Sequence, residues 1–113
     1  MVKVFVTYRL KPGVTWEDYE KWSIEVDQPT AGHLPGIIRY EIYRIEGASE
    51  GEPFCDVVED IEVESWADWA DVNSYPVMQR VVAGWKALSD QETVNMVYGT
   101  AVRHVTDPSA AGS

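Results

Sequence analysis

The chain has 113 residues and a formal charge of −10, from 19 acidic against nine basic side chains. A chain of this size carries one two-layer core and no second one. Its charge repels phosphate backbones and anionic lipid inside a Debye length, so neither nucleic acid nor a membrane surface is expected as a partner. Nowhere do about 18 apolar residues run together, and Met1 to Tyr8 alternate polar and apolar around Lys3, unlike a leader, so a soluble cytoplasmic protein is expected. The lone Cys55 has no partner for a disulfide or a Cys-rich metal site and reads as a small buried hydrophobe. Five Trp and six Tyr leave two readings open: filling for a small core, or walls of a pocket for a flat apolar ligand.

Val2, Val4, Val6 and Tyr8 recur at a period of two, with Phe5 opposite, up to the turn Lys11-Pro12-Gly13; this is strand one. Thr15 caps a helix over 16–26, with Trp16, Tyr19, Trp22, Ser23 and Val26 at helical spacing. The stretch from Gln28 to Gly36 holds too many breakers to be regular. Strand two is expected over 37–46, a polar turn over 46–52 and strand three over 53–63, the pair forming a hairpin. Ser65, with Asp68 three positions on, caps a second helix that Pro76 interrupts and that resumes from Met78 to Leu88. Strand four is expected over 93–103.

The order is β-α-β-β-α-β, which defines an α+β, ferredoxin-like domain over 1–105: an antiparallel sheet with both helices on one face, followed by a flexible tail over 106–113. A wet second face should alternate cleanly, yet strands one, two and four carry apolar residues on both sides. A second copy covering that face about a two-fold axis resolves this, and a homodimer through the sheet face is predicted.

No phosphate loop, nucleophile elbow or Cys-x-x-Cys is present, and His33 and His104 have no carboxylate at metal spacing, so neither cofactor nor metal is expected. His33, in the Pro- and Gly-rich loop before strand two, is a candidate general acid or base, or else a surface histidine. His104, at the end of the last strand, is a weaker candidate. Strand three places Glu59 on the face of Cys55, Val57, Ile61 and Val63. Unpartnered there, it would move protons near neutral pH; ion-paired to Arg39 on the neighbouring strand, it would be structural. Tyr8 is the tyrosine expected to assist, and Tyr40, Tyr98, Trp66, Trp69 and Trp85 are expected to meet between sheet and helices as core or as ligand contacts. Arg39, with Arg44, is suited either to a substrate carboxylate or to cross-strand ion pairs.

The opening Val2-Lys3-Val4-Phe5-Val6-Thr7-Tyr8 with its Lys11-Pro12-Gly13 turn resembles the start of dimeric α/β-barrel proteins. Gly32-His33-Leu34-Pro35-Gly36-Ile37-Ile38-Arg39-Tyr40-Glu41 and Glu62-Val63-Glu64-Ser65-Trp66-Ala67-Asp68-Trp69 resemble the RedY-like (HapK) family, over roughly residues 1–104. The resemblance implies two sheets joined in one barrel, a pocket between each sheet and its helices, and a cofactor-independent enzyme of bacterial specialised metabolism. It further implies that a reactive tryptophan-derived bisindole imine is directed to a primary carboxamide. A non-catalytic protective binding protein, or a cofactor-free monooxygenase or cyclase, are the alternatives left by the barrel itself.

Overall fold

The computed structural model describes residues 1–102. Four strands, β1 (Val2–Leu10), β2 (Ile37–Arg44), β3 (Val57–Val63) and β4 (Ser89–Gly99), form one antiparallel sheet in the order β2-β3-β1-β4. This is the ferredoxin-like topology, with the helices packed on one face. The tail expected over 106–113 and His104 lie outside the described residues.

Alternation decides which residues enter the core. Val4, Val6 and Tyr8 of β1 and Val57, Ile61 and Val63 of β3 are buried against the helices, and Glu59 sits in the same row. The other face carries Lys3, Phe5, Thr7 and Arg9 of β1, with Arg39, Glu41 and Tyr43 of β2 lying beside Asp60 and Val58 of β3. It is more mixed than expected: Lys3 pairs with Asp60 at 2.6 Å and Arg39 with Glu41 at 2.6 Å. Phe5, Tyr43 and Val97 are the large side chains exposed on it.

The first helical region is longer than its spacing predicts. After α1 (Trp16–Trp22), whose Thr15 cap accepts the Asp18 amide at 3.1 Å, the chain widens into a π-helical turn (Ser23–Asp27) and continues as α2 (Gln28–Ala31). Pro29 stands in the first turn of α2, directly after the π-helical turn. The breaker-rich loop shrinks to 32–36. Gly36 there has φ +82°, and a Cβ on it would lie 2.4 Å from Cγ of Asp68, so only glycine closes this turn over the α3 cap.

Asp68 accepts from the Ser65 amide (3.1 Å) and hydroxyl (2.9 Å), which starts α3 (Trp66–Ala70) as the Ser-x-x-Asp pattern predicts. Two 3₁₀ turns, Val72–Ser74 and Pro76–Met78, accommodate Pro76 and lead into α4 (Gln79–Leu88). Strand boundaries differ at four places, the first being β2, which ends at Arg44 instead of 46. β3 begins at Val57 instead of 53, and β4 begins at Ser89 instead of 93, because Ser89 and Asp90 pair with Leu10 and Arg9 beyond a register shift. β4 ends at Gly99.

Candidate active site

The sheet and helices enclose a narrow cleft of about 40 Å³. Its floor is Val6 of β1 and Glu59 of β3, with Tyr40 and Met96 from the flanking strands. Trp22 and Asp27 wall it from the first helical region, Trp69 from α3, and Val81, Val82 and Trp85 from α4.

Glu59 is 5 % exposed and is held by the Tyr8 hydroxyl, which donates to Oε2 at 2.6 Å. Tyr8 in turn shares a 2.5 Å hydrogen bond with the Tyr19 hydroxyl on α1. With its own proton on Glu59, Tyr8 can accept only, so Tyr19 is the donor of that bond. Arg39 is not the partner of Glu59. It stands opposite Glu62 in the β2–β3 ladder, on the other face, and salt-bridges Glu41, so the ion-paired alternative for Glu59 is corrected by strand parity.

A second carboxyl, Asp27, closes the π-helical turn and is 1 % exposed. The Tyr40 hydroxyl donates to its Oδ1 and Oδ2 at 2.9 and 3.1 Å. Burial pushes Glu59 up to about 8, the negative charge of Asp27 adding to the rise and the Tyr8 hydrogen bond opposing it. Burial raises Asp27 to about 6, against the hydrogen bond from Tyr40. Tyr8, Tyr19 and Tyr40 are all raised, first by burial and next by the Glu59 charge, so they remain neutral donors. Among the described residues no cation enters this network; the salt bridges found, Lys3–Asp60, Arg9–Asp56 and Arg39–Glu41, all lie outside it. Two carboxyls held by single tyrosines, in an aromatic-walled cleft, are equipped to accept and donate protons.

The aromatic walls interlock. Trp85 meets Tyr8 edge-on at 5.7 Å and Tyr40 lies 6.4 Å from Trp69. The Trp69 indole donates to Met96 Sδ at 3.3 Å. The indole nitrogens of Trp22 and Trp85 are buried with no protein acceptor among the described residues, each an unpaired donor costing about 1–3 kcal/mol.

Of the residues singled out from sequence, the structure therefore brings together Glu59, Tyr8, Tyr40, Trp69 and Trp85. Trp66 and Tyr98 stack on each other at 3.8 Å and 12° beside β4, outside the cleft lining. His33 is exposed and lies with Arg39 in a separate, shallow depression. Asp27 and Tyr19 were missed as functional candidates. Their signal was present: Tyr19, Ser23 and Asp27 fall four apart and all three are buried, so the acid extends the core-facing row. Among the described residues no three His, Cys, Asp or Glu side chains come together as a metal site. No helix among them is long and apolar enough to cross a membrane.

Fold and site together define a ferredoxin-like α+β protein whose interlayer cleft is aromatic and acid-bearing. The family model for the REDY-like protein HapK matches residues 2–102, and the chain belongs to that family. HapK from Hahella chejuensis superimposes with a TM-score of 0.73 at 18 % identity, over 95 % of this chain and 98 % of that one. SnoaB, a cofactor-independent oxygenase from Streptomyces nogalater, gives 0.69 at 13 % identity, over 94 % and 97 %. A dimeric ferredoxin-like protein of unknown function from Thermobifida fusca gives 0.69 at 14 % identity, over 88 % and 90 %. No curated protein matches the sequence.

Proposed function

We propose that this protein is a cofactor-independent enzyme of small-molecule biosynthesis that binds a planar aromatic intermediate in the cleft and moves a proton on it with Glu59. The observation that carries this reading is a carboxyl 5 % exposed, held by Tyr8 and facing indole walls instead of a cation. Such a group keeps a proton near neutral pH and gives it up to a bound base, which is what acid–base catalysis asks for. Flat rings between Trp69 and Trp85 exclude water and fix the reacting atom, with no metal required.

The substrate we infer is a tryptophan-derived bisindole imine, directed to a primary carboxamide. Membership of the REDY-like family supports it, and so do the indole walls. We also infer a homodimer through the open sheet face: the Thermobifida fusca neighbour is described as dimeric, and Phe5, Tyr43 and Val97 are exposed there.

The test is incubation with the enzymatically generated imine dimer, reading products by mass spectrometry against a protein-free control. A new carboxamide that disappears with Glu59→Gln is expected. An unchanged mixture sinks the substrate assignment. Measurable binding with an unaltered decay rate would make the protein a carrier. His33, outside the cleft, is assigned no role, and His33→Ala is expected to leave the product distribution as it is.

A further inference from the structure

We propose that Asp27 and Glu59 act as base and acid on one substrate, so that the cleft catalyses redox-neutral proton relocation in a neutral planar aromatic ketone or imine. This rests on the preceding reading of the cleft as an aromatic-binding site in which Glu59 transfers protons, and adds the second catalytic group and the reaction class.

The two carboxyls come from opposite layers of the same cleft: Glu59 from the inner strand β3, Asp27 from the helical layer above it. The π-helical turn fits a role for Asp27, since such turns insert a residue and re-aim side chains, often at functional sites. The environments of the two acids differ. Asp27 has both oxygens engaged by the Tyr40 hydroxyl, which favours its anion. Glu59 has one oxygen engaged and feels the Asp27 charge, which favours its protonated form. Two carboxyls pushed apart in this way divide into a base and an acid. The titratable groups facing them are Tyr8 of β1, Tyr19 of α1 and Tyr40 of β2, all neutral; α4 and β4 present only Val81, Val82, Trp85 and Met96. With no cation in this set, an anionic substrate is repelled and a neutral one is not.

The step balances without a co-reactant. Asp27 carboxylate takes the proton from the carbon next to C=O or C=N, and the C–H electron pair becomes the new C=C bond. The π pair of the C=O or C=N bond moves onto its heteroatom, which takes the proton of Glu59. After the proton on Asp27 exchanges with solvent, the reverse step delivers the solvent-derived proton to the same carbon and returns the heteroatom proton to Glu59, so both carboxyls recover their starting state. Nothing is oxidised or reduced.

The probe is 2-indanone, a neutral planar bicycle with acidic C–H bonds beside its carbonyl, in D2O with the full chain. Proton NMR reads loss of its CH2 signal, and tryptophan fluorescence reads binding. We expect protein-catalysed exchange with a bell-shaped pH profile. Asp27→Asn and Glu59→Gln should each lower it by about 10²-fold or more while affinity stays within about threefold. Residual exchange in Glu59→Gln should lack the alkaline limb, an effect that a merely structural role for Glu59 does not produce. Loss in Glu59→Gln alone, with Asp27→Asn at the wild-type rate, overturns the pairing and leaves Glu59 as a lone proton-transfer group. Wild-type rates in both variants overturn both readings. Exchange no faster than without protein overturns the carbon-acid assignment.

Discussion

The Tyr8 hydroxyl donates to Glu59 at 2.6 Å, diagonally across the β1–β3 ladder in which Val6 opposes Glu59 and Tyr8 opposes Val57. That bond is the one interaction lowering the carboxyl against its burial and the charge of Asp27. Tyr8→Phe should therefore raise Glu59 further and move the alkaline limb of the pH–rate profile to higher pH. Its activity should fall about tenfold, less than in Glu59→Gln, because the carboxyl itself remains. An alkaline limb that stays put or moves down in Tyr8→Phe would disconnect the two residues.

The buried acids make stability fall as pH rises. Glu59 is raised to about 8 and Asp27 to about 6, both above the unfolded values of about 4.3 and 3.9. Between those limits the native chain binds more protons than the unfolded one, so the unfolding free energy has a negative slope with pH. The favourable contribution is complete below about pH 4 and lost by about pH 8. Urea unfolding at pH 5.5 and 8.5 should differ by about 2 kcal/mol or more in favour of the lower pH. In Glu59→Gln this difference should shrink, and an unchanged slope would contradict the assignment.

Gly84 sits where α4 meets Trp22: a Cβ there would lie 2.1 Å from the indole nitrogen. In an exposed helix Gly→Ala stabilises by about 0.5–1 kcal/mol. Here the overpacking penalty, about 1–3 kcal/mol, wins. Gly84→Ala should lower the melting temperature, and combining it with Trp22→Leu should recover part of the loss. Strict additivity of the two changes in a double-mutant cycle would show that the contact is not what restricts position 84.

The inferred dimer is checked by light scattering on the purified chain. The wild type should have twice the monomer mass, and Phe5→Glu with Val97→Lys should halve it by placing charges on the open sheet face. A monomeric wild type, or a charge-bearing variant that stays dimeric, would refute association through this face.

The element order was legible because its signals are local. The period of two in Val2 to Tyr8, the Thr15 and Ser65 caps and the break at Pro76 all act within a few residues, and each is found where expected. Glu59 stood out because alternation within β3 puts it in the row of Val57, Ile61 and Val63. Other features depended on what the segments meet. The π-helical turn that brings Asp27 to the cleft conflicts with no local rule and has no motif of its own. The exclusion of Arg39 from Glu59 followed from strand parity, which the shift beside Ile37 sets. His33 looked poised for chemistry on loop composition, but the direction a loop faces is fixed by the elements that anchor it. The sequence by itself thus determined the β-α-β-β-α-β order and an acid on a core-facing strand, since caps, turns and periodicity are short-range. Only the tertiary structure decided that this acid meets Tyr8, Asp27 and indole walls instead of an arginine, because cross-layer contacts depend on register and packing between segments tens of residues apart.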